Sequence, residues 1–328
     1  MPCSILFGGY RLSILVSITY TAYNHEKYLA QALDSFLMQQ TDFEYEVLVH
    51  DDASTDNTVS IIREYESRYP HIIKPWYQSE NQWSKGIRLH TAYNLPRARG
   101  KYIAMCDGDD YWTDPFKLQK QVDYMEANPD CTLCFHAIEL IKNNQKPTGR
   151  FIKPYDESCI VPIEDIIIGG GGFIGTNAVI IPKKYLQTLP EFYLRAPVAD
   201  VPLQLYLASQ GSVYYINEIM SAYRQGVEGS WNSHMDKARK DYIKHLSEMI
   251  RMTEEFNIFT DYKYAESVKL RQLKNEFLIH VVEGNIQVVK EEKYRPHYQQ
   301  LSVYNIAMLY MRRYFPYLYD KLRIYKGI

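Results

Sequence analysis

The chain has 328 residues, with 37 Lys and Arg against 39 Asp and Glu and a formal net charge of −2 at pH 7. At about 150 residues per domain this allows two domains, or one with a sizeable appendage, and the near balance of charge excludes the strong basic field that nucleic-acid binding requires. A hydrophobic fraction of 46% with 23% charged residues excludes disorder over most of the length, and no run reaches the ~18 consecutive apolar residues of a membrane-spanning helix. Met1-Pro2-Cys3-Ser4 lacks the basic and apolar regions of a secretory signal, so a cytoplasmic chain with five reduced cysteines is expected. The 30 tyrosines suit sugar or nucleobase contacts, although surface aromatics account for them as well.

In chain order, Leu12 to Tyr20 reads as a buried strand ending in the polar loop Thr21-Ala22-Tyr23-Asn24. Leu29, Leu33, Phe36 and Leu37 recur at helical spacing from Glu26, and Tyr45 to Val49 forms a second strand running into Asp51-Asp52-Ala53-Ser54, which completes a βαβ unit. Ser54 and Thr55 are candidate caps for a helix that stops at Pro70. A third strand covers Ile72 to Tyr77, and a looser helix runs from Gly86 toward Leu95. Tyr102 to Cys106 forms a fourth strand leading directly into Asp107-Gly108-Asp109-Asp110. This alternation predicts a mostly parallel sheet.

A helix then carries Leu118, Val122 and Met125, and a strand runs from Thr132 to Ile141. Cys131-x-x-Cys134 has no second pair at zinc spacing and reads as two buried strand cysteines. The run Gly169 to Gly172 lacks the Gly-Lys-Ser/Thr of a phosphate-cradling loop and reads as a mobile loop. A strand at Val179 to Ile181, a helix opened by Pro182, a helix from Val201 to Ala208 preceded by Asp200, and short strands at Val213 to Ile216 and Met220 to Tyr223 follow. From about Trp231 the chain is helical and charged, which puts a domain boundary at 230/231.

The chemistry lies in two acidic clusters, Asp51-Asp52 and Asp107 to Asp110, each just past the carboxyl end of a predicted parallel strand. That edge is where open α/β sheets bind ligands. Either cluster alone is an ordinary acidic turn; together they point to a site. Crowded carboxylates call for a cation, and hard oxygen ligands select Mg²⁺ or Mn²⁺, which bridges diphosphate oxygens.

The segments Val16 to Asn24, Asp51-Asp-Ala-Ser-Thr-Asp-Asn-Thr58, Lys101-Tyr-Ile-Ala-Met-Cys-Asp-Gly-Asp-Asp-Tyr-Trp112 and Pro197-Val-Ala-Asp-Val-Pro-Leu203 together resemble the family 2 glycosyltransferases of GT-A fold, in particular bacterial enzymes of surface-polysaccharide assembly. The resemblance spans roughly Leu12 to Trp231. It implies a GT-A nucleotide-diphospho-sugar transferase fold at 1–230 with a helical region at 231–328. It further implies that Thr21, Tyr23 and Asp52, with Asp51 beside them, hold the base, and that Asp107 or its neighbours lie toward the ribose. Asp109 would then be on the metal, shared with Asp107 or Asp110, and Asp200 would be the general base. Asp200 is equally a sound helix N-cap. Where relatives place a histidine soon after Tyr223-Arg224, this chain has Gln225-Gly226, and His234 is the candidate replacement.

The implied reaction is an inverting transfer from a nucleotide sugar, first of all a UDP-sugar, to a hydroxyl of a glycan or lipid-linked acceptor. A cation stabilises the departing diphosphate and Asp200 takes the acceptor proton, so no enzyme nucleophile is needed. Two rivals remain. One is a non-catalytic nucleotide-sugar or glycan-binding protein; the other is a haloacid-dehalogenase-type phosphatase with Asp107 as nucleophile and Asp109 as acid/base. A calcium loop starting at Asp107 fails, because Tyr111 and Trp112 fall at its fifth and sixth positions. Residues 304–328 interleave aromatics with Arg312, Arg313, Lys321, Arg323 and Lys326. This composition suits peripheral contact with an anionic inner membrane face, or packing against the catalytic domain or a second subunit, as in a homodimer.

Overall fold

The structure is a computed structural model that describes residues 13–227, 239–315 and 317–319. The chain divides into two compact units, one of residues up to Val161 with Gly171–Leu189 and Gln210–Gln225, the other of Pro162–Gly170, Pro190–Ser209 and the residues from Gly226 onward. The boundary expected at 230/231 falls among residues 228–238, outside the described residues.

The first unit contains β1 (Ile14–Ala22), α1 (Leu29–Leu37), β2 (Glu44–Asp51), α2 (Thr58–Arg68), β3 (Ile73–Tyr77), the single turn α3 (Leu95–Arg97), β4 (Tyr102–Cys106) and β5 (Tyr111–Trp112). It continues through α4 (Lys117–Ala127), β6 (Cys131–Lys142), β7 (Pro147–Ile152), β8 (Cys159–Ile160), β9 (Ile180–Pro182) and β10 (Ser212–Gln225). The sheet order is β3-β2-β1-β4-β9-β6-β10-β5, with β7 on β6 and β8 on β10. The β3-β2-β1-β4 half is parallel, as is β6 with β10. Beyond β4 the sheet is mixed, because β9 runs antiparallel to both β4 and β6 and short hairpin partners flank β6 and β10. The mostly parallel sheet expected from the sequence therefore holds where βαβ crossovers join the strands, and the antiparallel pairs are confined to the half beyond β4.

β1 is central and buried on both faces: Val16, Ile18 and Tyr20 are shielded on one, Ser17 and Thr19 on the other. Leu29, Ala32, Leu33 and Phe36 of α1, Ile62 and Tyr65 of α2, and Leu118, Val122 and Met125 of α4 cover it in one core. Cys131 and Cys134 are buried on β6, as expected of strand residues. The chain order reverses between β1 and β4, which opens a crevice beyond their carboxyl ends.

Several local expectations are corrected. The helix predicted over Gly86–Leu95 is a 3₁₀ turn at Trp83–Lys85, a widened turn at His90–Asn94 and α3, since Pro96 removes a donor just where a regular helix would need it. The helix after Pro182 is a 3₁₀ turn at Lys183–Leu186, and the two strands expected at 213–216 and 220–223 are one strand, β10, with register shifts between Ile216 and Ser221. Ser54 and Thr55 do not cap α2; the Asp56 carboxylate accepts from the Thr58 amide at 2.9 Å instead.

The second unit holds α5 (Ile163–Gly169), α6 (Glu191–Leu194), α7 (Asp200–Gln210), α8 (Arg239–Phe259), α9 (Ala265–Glu283), α10 (Ile286–Val289), α11 (Arg295–Gln299) and α12 (Val303–Tyr314). The expected glycine loop is here the end of α5 followed by a 3₁₀ turn at Gly170–Gly172. α8 packs along α9, and Phe192 meets the fully buried Phe256 edge to face at 5.6 Å. Leu309 of α12 joins Phe277, Ile286, Val289 and Tyr294 in a small core, and Arg312 donates to the carbonyls of Val281 and Val282, so this part of 304–328 packs internally. Tyr314, Phe315, Tyr317 and Leu318 stay exposed. Among the described residues no helix is long and apolar enough to cross a membrane.

At the amino-terminal end of β2, Glu46 is 1% exposed and accepts from the Ser17 hydroxyl at 2.7 Å and from the amide and guanidinium of Arg99 at 2.6–2.9 Å. Gly100 completes this junction, since a Cβ there would lie 2.4 Å from the Ser17 nitrogen. Glu46→Ala leaves the buried Ser17 hydroxyl without its acceptor and the Arg99 amide with only the Ser17 oxygen, and is expected to cost about 2 kcal/mol. Arg99→Ala should cost less, because its side chain is already 58% exposed. Equal shifts of the urea midpoint would show that the ion pair, rather than the buried acceptor, holds the strands.

Candidate active site

Register fixes the level of each candidate. Ala22 pairs with Asp51, and Asp51 with Tyr77, at the carboxyl edge of the sheet. Tyr20 pairs with Cys106, so Asp107 emerges beside Thr21. Thr21, Tyr23, Asp51, Asp52, Asp107, Asp109 and Asp110 therefore share one edge of one sheet, as the sequence predicts.

The loops after β1 and β2 are interlocked. The Asn24 amide donates to the Ser54 hydroxyl at 2.9 Å and its side-chain oxygen accepts from the Thr55 amide at 2.8 Å. The Glu26 amide donates to Asp56, and Glu26 accepts from Asn57. Asn24 and Ala53 both hold positive φ, 55° and 63°. For Ala53 this left-handed geometry costs on the order of 1 kcal/mol, which the surrounding hydrogen bonds offset.

Within this frame the acids differ. Asp52 is fully buried, its two oxygens accepting from the amides of Gln82 and Trp83 at 2.8 and 3.0 Å. It organises the turn that carries Trp83, which is 65% exposed. Asp51 is also buried; it accepts from the Ser54 amide, keeps one oxygen without a partner, and its pKa is raised chiefly by burial. Tyr23, 45% exposed, is the open surface of this corner.

The Asp107–Asp110 loop is held from beneath. The Tyr20 hydroxyl donates to the Gly108 carbonyl at 2.6 Å. Gly108 is obligatory, since a Cβ would sit 1.9 Å from His25 Nδ1 and 2.4 Å from the Thr21 carbonyl oxygen. Trp112 is buried, its indole donating to the Asn177 carbonyl at 2.9 Å, with the Lys117 ammonium 4.0 Å above its ring. Burial, set against nearby Cys106 and Cys134, lowers the pKa of Lys117 to about 7.

Asp110 is 1% exposed; its Oδ1 accepts from the Arg224 amide at 2.9 Å and its Oδ2 has no donor. Burial first and Asp109 second push its pKa well up. Asp109 is pushed up to about 6 by burial and by Asp107, with Arg224 opposing. Asp107 is the exposed member, its side chain 44% accessible.

Three contributors escape sequence reasoning. His90 Nε2 lies 3.8 Å from Asp107 Oδ1, and neither ring nitrogen has a partner. His25 packs on Gly108, with burial lowering its pKa to about 4 against the pull of Asp56 and Asp107. Arg224 is 3% exposed, donates from Nε to the Asp109 carbonyl at 2.6 Å, and lies between the rings of Tyr28 and Tyr111 at 5.2 and 5.0 Å. Nothing in the sequence marks the two histidines; for Arg224 the Tyr-Arg pair is a signal of position without a role.

Among the described residues no three His, Cys, Asp or Glu side chains converge on one metal position, and His234 lies outside the described residues. Asp107 and Asp109 nonetheless suit a divalent cation. The two carboxylates lie two residues apart in one loop, Asp109 held above its ordinary pKa by burial first and by the Asp107 charge second, and such a pair leaves coordination positions for phosphate oxygens and water. Asp200 is the first residue of α7 and belongs to the second unit.

A sheet of this order with acidic loops at its switch point is an α/β architecture with a ligand crevice at the carboxyl ends of its parallel strands. Residues 17–179 match glycosyl transferase family 2, and this segment of the chain belongs to that family. It is 36% identical over 231 residues to an uncharacterized protein of Mycobacterium tuberculosis, covering 69% of this chain and 63% of that one, so it spans less than two thirds of that relative. It is 29% identical over 232 residues to the putative teichuronic acid biosynthesis glycosyltransferase TuaG of Bacillus subtilis, covering 69% and 84%. Among solved structures, S. aureus TarS in complex with UDP-GlcNAc aligns with TM-score 0.60 at 19% identity over 86% of this chain and 78% of that one. The mannosyltransferase PcManGT from Pyrobaculum calidifontis, in complex with GDP-Man and Mn²⁺, aligns with TM-score 0.56 at 16% identity over 96% and 84%. These likenesses establish the GT-A fold.

The raised pKa of Asp109 fixes a sign. Its proton is held more tightly in the folded chain (about 6) than at the ordinary value of 3.8, so its contribution to stability is full below about pH 4 and is lost as pH rises through about 6. Asp109→Asn is therefore expected to stabilise the metal-free protein at pH 7.5 by ~1–2 kcal/mol and to have no effect at pH 4. Thermal melts at both pH values check this, and a variant less stable at pH 7.5 contradicts it.

Proposed function

We propose that this chain is an inverting, metal-dependent glycosyltransferase that moves a sugar from a nucleoside diphosphate, first of all a UDP-sugar, to a hydroxyl of a glycan or lipid-linked acceptor in bacterial polysaccharide assembly. The observation that carries the reading is the Asp107–Asp110 run at the carboxyl end of β4, beside the β1 and β2 loops and inside the segment matched to family 2. TarS bound to UDP-GlcNAc and PcManGT bound to GDP-Man and Mn²⁺ support the donor class, and TuaG supports the polysaccharide role.

In this reading Tyr23 and Thr21 face the base, with Asp52 holding the 82–85 turn that walls the same corner. Asp107 and Asp109 hold Mn²⁺ or Mg²⁺, with His90 beside Asp107. Bound there, the cation supplies positive charge to the diphosphate as the glycosidic bond breaks. Asp200 takes the proton of the acceptor hydroxyl; this role rests on the sequence segment Pro197–Leu203. The phosphatase rival needs Asp107 as a nucleophile with a lysine beside it, and the side chain found beside Asp107, at 3.8 Å, is His90.

Hydrolysis of UDP-sugars assayed with and without Mn²⁺ tests the reading, and Asp107-dependent hydrolysis of p-nitrophenyl phosphate instead would replace it. Asp200→Asn keeps a hydrogen-bonding side chain at the start of α7 but cannot accept the proton, so UDP affinity should persist while turnover falls by about 10² or more. Equal loss of both would make Asp200 a structural cap.

The exposed Tyr314, Phe315, Tyr317 and Leu318 support the expected peripheral contact of 304–328 with an anionic bilayer. The protein should float with anionic liposomes at low salt and be released as ionic strength rises. Flotation equal on neutral and anionic vesicles would remove the electrostatic part of this proposal.

A further inference from the structure

One cavity of the first unit lies outside the nucleotide and metal candidates. It is an open groove of about 490 Å³ lined by Lys27, Tyr28, Lys142, Asn143, Asn144, Gln145 and Arg224. Three of these are cations and none is an acid. Lys27 follows the β1 loop, Lys142 ends β6, and the three amides form the turn into β7. Among the described residues Lys27, Lys142 and Arg224 make no ion pair. Surface lysines alone would mean little, but the guanidinium that lines the groove is not a surface group. Arg224 is 3% exposed and fixed by the Asp109 carbonyl, by Gln31 Oε1 and by the two flanking tyrosine rings, and its Nη1 is buried with no partner. A desolvated, immobilised cation with a free donor is costly unless an acceptor completes it.

The volume falls in the range of small-ligand pockets. Cations at the wall suit a phosphate or a carboxylate, and Asn, Gln and Tyr side chains suit sugar hydroxyls. None of Thr21, Tyr23, Asp51, Asp52, Asp107 or Asp109 lines the cavity, yet Arg224 ties it to the Asp109 backbone, so a ligand here would lie next to the acidic loop without occupying it. We infer that the Lys27–Lys142–Arg224 cavity binds the anionic group of the acceptor, and that the acceptor is a charged saccharide bearing a phosphate or a carboxylate. The inference rests on the glycosyltransferase reading and adds the substrate class on the acceptor side.

The test uses the full chain saturated with UDP and Mn²⁺, titrated by calorimetry with glucose 1-phosphate, glucuronate and glucose, and repeated with the Lys27→Gln/Lys142→Gln variant. Binding of either anionic sugar, with glucose at least tenfold weaker, is expected. The variant should lose at least tenfold in affinity for the anion while its UDP affinity stays within twofold. The two anions separate a phosphate-bearing from a uronate-bearing acceptor. If UDP binds but neither anion does, or if all three sugars bind alike, the inference is overturned. Parallel loss of UDP affinity in the variant also overturns it, because the cavity then belongs to the donor diphosphate. Failure of UDP to bind the unaltered protein overturns the glycosyltransferase reading itself, which keeps the two failures distinct.

Discussion

The site depends on one arginine holding an acidic loop that would otherwise repel itself apart. Three carboxylates lie within four residues at the end of β4, and two of them are driven above their ordinary pKa, Asp109 by burial and by Asp107, and Asp110 by burial and by Asp109. Arg224 answers from β10 with its amide on Asp110 Oδ1, its Nε on the Asp109 carbonyl and another donor on Gln31 of α1. The backbone is thereby fastened while the Asp109 and Asp107 carboxylates receive no hydrogen bond from the guanidinium. Had the guanidinium paired with those carboxylates, it would have neutralised the charge that the proposed cation would meet.

Rigidity on the nucleotide side comes from a different device. The β1 and β2 loops exchange side-chain-to-backbone hydrogen bonds through Asn24, Glu26, Ser54 and Asp56, and Asp52 extends the same logic to the 82–83 amides. Gly108 then lets the β4 loop close onto Thr21 and His25. Three loops from three parallel strands thus form one surface, which suits recognition by preorganised groups better than three independent loops would.

What the sequence makes legible follows from where periodicity is strong. β1, β2 and β4 show as apolar runs because parallel strands buried on both faces must be apolar, and the acidic clusters after β2 and β4 show because they break those runs abruptly. α1 shows through Leu29, Leu33 and Phe36. The mixed half is harder: β5 and β8 have two residues each, too few for any period, and β10 looks like two strands because its register slips between Ile216 and Ser221. His25, His90 and Arg224 enter the site from loops or from a strand far away in sequence, and a contact across 115 residues, such as that of Arg224 with Asp109, leaves no local trace. Asp52 was legible as a site residue, but its engagement with two backbone amides was not, since a buried acceptor and an exposed one are the same letter.

Charge separation across Arg224 gives the first unit its chemical direction. On one side lie Asp107 and Asp109, which favour a cation; on the other lie Lys27 and Lys142, which favour an anion. A residue buried between groups of opposite sign acts on both only if its geometry is fixed. The rings of Tyr28 and Tyr111 help to fix it while adding cation–π attraction. Replacing Arg224 with lysine would keep the charge yet lose the fork that binds the Asp109 carbonyl and Gln31 together. The planar geometry of the side chain, more than its charge, keeps the two regions apart.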